Sequence, residues 1–239
     1  MRKIITILLI IFIIALVVIS MPSAQQEQEQ EQEQGQTEMT ITPAEEVEQE
    51  ESVVEITADQ VNYDKEIDQM IFVGNVIIIQ EDSTLNAGRA SFNVDTKVGQ
   101  ISENVSLVQE DITITGNSLE AYLNDKRYIF ENQVELIQER EDNNGEPDNV
   151  IWLCQKLDIF TDTKNMTASG EVEISTQDYT IFAQEAVYND AEDKISLSGQ
   201  VRIEEVENDR QISGNSAVFF VGDDKLEVTG NVRSSITLD

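Results

Sequence analysis

The sequence predicts an all-β domain built from six copies of one two-stranded unit, and three observations predict it. A valine recurs at Val76, Val105, Val134, Val172, Val201 and Val232, and eighteen residues before each sits a small residue: Ala58, Ala87, Gly116, Cys154, Ala183 and Gly214. Apolar residues around these anchors alternate with a period of two, which is the spacing of strands. After residue 24 no segment carries a helical period. An internal repeat at such a spacing decides the architecture before any single motif does.

The chain opens on a different note. "MRK" precedes an apolar run from Ile4 to Ile19 broken only by Thr6, and the next basic residue after Lys3 is Lys65. Positive charge before the run and acid after it place the N-terminus in the cytoplasm and the remainder across the membrane. Ile4 to Met21 lies between the apolar stretch of a signal peptide, about 7–15 residues, and a spanning helix of about 17–25. Residues 1–21 are therefore a signal peptide or a transmembrane anchor; Met21-Pro22 is a poor sequel to a cleavage site, which favours the anchor. No cysteine follows the run, so a lipoprotein is not expected. Residues 22–51, with their Gln-Glu alternation and no aromatics, are expected to be a disordered, solvated linker.

Residues 52–239 hold the repeat. The valines are spaced by 29, 29, 38, 29 and 31 residues, and the variation lies in the link from each valine to the next small residue. The longest link contains the polar, turn-rich "EREDNNGEPDN" from Glu139 to Asn149, an insertion of the kind loops tolerate. In each copy the first strand is apolar two residues before the small position, and again three and five residues after it: Leu85, Ala90 and Phe92, or Ile181, Ala186 and Tyr188. That change of parity at the small residue predicts a bulge or bend there. The second strand keeps one parity, as in Tyr128, Phe130, Asn132, Val134 and Leu136. Between strands lie turn phrases such as "YDKEID" and "NDAEDK". Twelve or more strands follow, apolar on one face and mostly charged on the other. Such units close into a barrel, coil as a solenoid or fold as a sandwich or jelly roll, and the regular repeat favours a serial arrangement.

Composition removes several functions. The formal net charge is -32, which argues against nucleic acid as a partner. Histidine is absent and Cys154 is the single cysteine, so histidine catalysis, an internal disulfide and a cysteine zinc cluster are excluded. The acidity itself reads as a solvated surface rather than a metal site, and no cofactor is implied.

The phrase Ala-Asp-x-x-x-Tyr-Asp, a short turn, then Gly-Asn-Val-x-Ile-x-Gln stands here as "ADQVNYD…VGNVIIIQ" from Ala58 to Gln80. Weaker copies are "AGRASFN…SENVSLVQ" and "AQEAVYND…LSGQVRI". This pattern resembles the OstA-like repeat of lipopolysaccharide-export periplasmic proteins of the LptA and LptC type, over about four-fifths of the chain. The resemblance implies a twisted, V-shaped β-jelly roll, two sheets around an apolar trough that holds the acyl chains of lipopolysaccharide or a related glycolipid. It also implies a bridge to the outer membrane, made with other jelly-roll proteins by edge-strand pairing. An uncleaved anchor in the inner membrane is the LptC-like feature; cleavage and release to the periplasm is the LptA-like one.

The residues expected to line the trough are Tyr63, Phe72, Phe92, Ile101, Phe130, Tyr188, Leu197 and Phe219. Each is also what an ordinary filled core would place there. Arg89, Arg127, Lys156, Arg202 and Arg233 are either outer-face charges or cations flanking the trough mouth, and divalent cations are another route to the lipid phosphates. Terminal units near Val54–Tyr63 and Leu226–Thr237 are expected to pair with partner jelly rolls or with further copies head to tail. Two other readings stand beside this one: a membrane-tethered structural or adhesive β-solenoid without a ligand, and a polysaccharide-cleaving β-helix using paired carboxylates. The carboxylates fall on turns and outward positions, so no enzyme is expected.

Overall fold

The computed structural model describes residues 54–80, 82–140, 147–206, 210–221 and 225–235. The expected N-terminal anchor and linker, and the middle of the Glu139–Asn149 insertion, lie outside the described residues. Within them the chain is β-structure joined by turns, with no helix.

Twelve repeat positions give fourteen strands because the strand at each edge is broken in two. At the N-terminal edge lie β1 (Val54–Thr57) and β2 (Gln60–Asp64). Ten long strands follow: β3 (Gln69–Gln80), β4 (Ser83–Asn93), β5 (Val98–Gln109), β6 (Ile112–Tyr122), β7 (Arg127–Gln138), β8 (Val150–Phe160), β9 (Asn165–Ser175), β10 (Tyr179–Asn189), β11 (Lys194–Glu205) and β12 (Arg210–Phe220). The C-terminal edge is β13 (Lys225–Thr229) with β14 (Arg233–Ser235). Every pairing is antiparallel and joins strands in sequence order, with β1 and β2 both on β3 and β13 and β14 both on β12. The serial arrangement follows from the short links, since two to four residues, everywhere but the β7–β8 insertion, leave a strand only its neighbour to pair with.

A kink crosses this sheet from edge to edge. On β3 it is Gly74-Asn75, on β5 Glu103-Asn104, on β7 Asn132-Gln133, on β9 Gly170-Glu171, on β11 Gly199-Gln200, and between β13 and β14 Gly230-Asn231. All twelve residues have positive φ. Each pair immediately precedes one of the six repeating valines, so the recurring Gly-Asn-Val phrase marks the kink. Glycine adopts this backbone freely and asparagine tolerates it better than most residues. The pairing registers jump here, with the two kinked residues opposing one on the neighbour, such as Gly74-Asn75 against Gly88. This two-against-one count is a β-bulge. The parity change in β4, β6, β8, β10 and β12 is therefore as expected, but the extra residue and the left-handed backbone belong to the partner strand. A strand opposite a two-residue bulge must shift its own parity by one.

The kinks divide one hydrogen-bonded sheet into two arms. The valine arm contains Val76–Gln80 paired with Ser83–Ala87, and their equivalents; the aromatic arm contains Gln69–Val73 paired with Arg89–Asn93, and theirs. Residues from both arms share a single buried cluster, with Trp152, Leu136 and Val172 from the first and Phe130, Leu157 and Tyr188 from the second. The two expected layers are thus two halves of one curled sheet. Turns at the end of the aromatic arm stack on one another: the Val94, Leu123, Thr161 and Val221 amides donate to the carbonyls of Asp68, Lys97, Lys126 and Asp193. Those acceptors are also in positive φ, the conformation a tight hairpin needs at its last loop residue.

Candidate lipid-binding interior

The eight sequence-predicted lining residues all fall on the aromatic arm. Phe72, Ile101, Phe130 and Leu197 occupy one slot, four residues before the valine; Phe92, Tyr188 and Phe219 occupy another, five after the small residue. The structure buries these seven together, and Phe130 is 0 % exposed. Phe72 and Phe92 meet edge to face, their ring centroids 6.3 Å apart. Tyr63, in the same slot as Phe92, lies instead on β2 at the open edge and is 53 % exposed. Its hydroxyl donates to Asp68 Oδ1 at 2.5 Å, and that bond raises its pKa.

Between the arms lies a small cavity of about 20 Å³. From the valine arm it is lined by Ile78, Gln80, Ser83, Leu85 and Leu107. From the aromatic arm come Phe92, Ile101, Leu119, Ala121 and Tyr128. Such a volume holds about one water, so the interior is closed around an apolar seam. Burial pushes the Tyr128 and Tyr188 hydroxyls above the usual phenol range, and Tyr188 donates to Asp190 Oδ1 at 3.2 Å at the rim.

Sequence reasoning picked out buried apolar positions but passed over their polar neighbours. Gln80, Ser83, Gln109 and Gln138 are buried at the outer end of the valine arm. The signal was there: each of the three glutamines stands four residues after a repeating valine. Gln138 Nε2 donates to Asp111 Oδ2 at 3.3 Å.

The cations take outer positions. Arg127 forms a two-pronged pair with Asp158, Nε to Oδ1 at 2.8 Å and Nη2 to Oδ2 at 2.5 Å, and lies over the rings of Phe160 and Tyr122. Lys156 pairs with Glu131, and Arg202 pairs with Glu204 while covering the Phe182 ring. Arg89 and Arg233 are exposed, beside or just beyond the kink. These side chains serve a carboxylate-rich outer face, and pairs so exposed contribute little stability. Among the described residues no three Asp, Glu or Cys side chains converge as a cation site.

Cys154, 4 % exposed, borders an open groove of about 580 Å³ together with Val134, Val172 and Ala183. It is buried beside the kink, and burial pushes its pKa up to about 11. The folded state therefore favours the thiol: this contribution to stability is full below the ordinary thiol value near 9 and is lost as pH rises through about 11. An aromatic disulfide reagent at pH 8 is expected to leave native Cys154 unmodified and to titrate one thiol after denaturation. Rapid modification of the native protein would mean that the seam opens freely.

Residues 89–225 match the family described as LptA/(LptD N-terminal domain) LPS transport protein, and residues 23–139 match the one described as lipopolysaccharide-assembly, LptC-related. Among solved structures, the chain is similar to LptH from Pseudomonas aeruginosa, described as the LptA homologous periplasmic component of the conserved lipopolysaccharide transport device. The two share 9 % identity over 79 % of this chain and 97 % of that one, with a TM-score of 0.22. No curated protein matches. With so loose a superposition the assignment rests on the sequence match, which spans more than half of the chain and coincides with the kinked repeats. The chain belongs to the family of LptA and LptD N-terminal-domain lipopolysaccharide transport proteins.

Proposed function

We propose that the protein binds the acyl chains of lipopolysaccharide between the two arms of its curled sheet and passes the lipid across the periplasm. The observation that carries this reading is the family match over a domain whose buried interior is a continuous apolar seam between two arms. Transfer of a twelve-carbon chain from water into such an interior is worth on the order of 10 kcal/mol, at about 0.8 kcal/mol per CH₂. That driving force requires no bond-making, and the function is carriage without chemistry. Since the resting seam is closed, loading separates the arms along the row of kinks, and Phe72, Phe92, Ile101, Phe130, Tyr188, Leu197 and Phe219 become lining. Tyr63 then guards the exposed end.

The same reading gives the edges a role. β1 and β2, with Val61 and Tyr63 exposed, and β13 and β14, with Val232 exposed nearby, offer unpaired backbone to other jelly-roll domains or to further copies. Residues 1–21 would hold the chain at the inner membrane, and 22–51 would give it reach. A ligand-free structural solenoid is the alternative favoured by the tight resting interior. The test is to extract protein purified from cell envelopes and to identify lipids by mass spectrometry. Lipid A in near-stoichiometric amount is expected; a lipid-free protein, or one carrying bulk phospholipid alone, would move the assignment to the solenoid.

A further inference from the structure

The two halves of the seam are not equivalent. In the first three repeats, Gly99 on β5 and Ala121 on β6 pair directly across the aromatic arm, leaving a notch beneath Phe92 and Tyr128. The equivalent pairs further along are Met166 with Tyr188 and Ile195 with Phe219, which fill that space. The Phe92 ring leans over Gly99 so closely that a Cβ there would come within 2.5 Å of Cε1. Opposite the notch, at the end of the valine arm, Gln80, Ser83 and Gln109 are consecutive register partners and all buried. The slots taken by Gln80 and Gln109 hold Thr176 and Glu205 in later repeats, and that of Ser83 holds Tyr179 and Arg210.

We propose that this notch, facing the Gln80–Ser83–Gln109 row, is the acyl-chain entry subsite, occupied ahead of the lining in the last three repeats. The proposal rests on the lipid-carrier reading. A chain sliding past Phe92, beside Ala121 and Tyr128, gains apolar cover from Ile101, Leu107 and Leu119. The group that joins the chain to its headgroup, an ester or an amide, stops at the polar row. A glutamine side chain supplies both a donor and an acceptor, and a serine hydroxyl does the same, so the row satisfies either linkage on entry to a site that excludes water. Among the described residues of the last three repeats, the equivalent slots carry Thr176, Glu205, Tyr179 and Arg210 in place of this row.

The experiment uses the full-length protein carrying benzoylphenylalanine at Ile101 or at Leu197, which occupy the same slot in the two halves, irradiated with purified lipopolysaccharide. Adduct at Ile101 in large excess over Leu197 is expected. Equal adduct at both overturns the entry subsite and leaves the carrier reading standing; adduct at neither overturns both. Because a bulky probe can disturb a core, Ala121→Val supplies a second measurement with fluorescent lipopolysaccharide. Filling the notch displaces about two methylenes of ligand and is expected to weaken binding about tenfold without lowering the melting temperature. Ala168→Val, in the filled half, is expected to lower the melting temperature and leave the affinity of the folded protein unchanged. An unchanged affinity in Ala121→Val would overturn the proposal.

Discussion

Phe130→Ala is expected to lower the melting temperature by about 10 °C, the equivalent of about 3–5 kcal/mol for a fully buried aromatic in a domain of this size. Phe130 is 0 % exposed and pairs with Leu119 on one side and Leu157 on the other, both also buried. The closed arms leave those neighbours little room to collapse into the vacancy, so the cavity term adds to the transfer term. The same side chain is assigned to the lipid surface of the open state. Lipopolysaccharide in excess is therefore expected to restore part of the lost stability in Phe130→Ala, because a chain occupies the space the ring leaves. Thermal scans with and without lipid measure both effects. A shift of only 1–2 °C would mean that Phe130 is solvated at rest, and the seam open.

The second large effect concerns the kink. At four of the six kinks the first residue is glycine, and a Cβ on it would lie within 3.0 Å of the side chain across from it: Asp59 for Gly74, Gln155 for Gly170, Gln184 for Gly199, Asn215 for Gly230. The second kink reverses the arrangement. Glu103 occupies the left-handed position at φ 72°, and the residue it faces is Gly88, where a Cβ would lie 2.7 Å from Glu103 Cβ. Bulk has been exchanged across the gap. Gly88→Asn alone is expected to cost about 2–3 kcal/mol through overpacking against Glu103. Glu103→Gly alone is expected to change stability by less than about 1 kcal/mol, since relief of the left-handed backbone offsets added chain entropy. The double variant recreates the Asn215–Gly230 arrangement and is expected to return near wild type, a coupling of about 2 kcal/mol by denaturant titration. Additive effects would mean that the kink row is not a packed unit.

These two positions also show what a sequence reader can and cannot recover. Phe130 was legible because period-two alternation reports which face is apolar, and its slot repeats in Phe72, Ile101 and Leu197. The bend was legible as a parity change near Ala87 or Gly116. Its owner was not, because a two-against-one bulge leaves the doubled strand's parity intact and shifts its partner's. The pair before each valine, opened by glycine in four copies of six, carried that information, obscured in Glu103-Asn104 and Asn132-Gln133, where no glycine marks the left-handed turn. Tyr63 was placed with the lining because its slot matches Phe92. The slot reports a face, and burial at the edge depends on a neighbour that the described residues do not supply. Gln80, Ser83 and Gln109 were passed over for a related reason: polarity at an inward position looks like a strand end until the arm opposite is seen to face it.

The most direct test of the central claim, that the inner face of the folded sheet carries lipid, is photo-crosslinking in cells from two positions on β5. Ile101 faces the seam and Ser106, five residues on and past the kink, faces outward. Lipopolysaccharide captured from Ile101 and absent from Ser106 is the predicted result. Capture from both positions, or from Ser106 alone, would place the lipid outside the sheet and contradict the account.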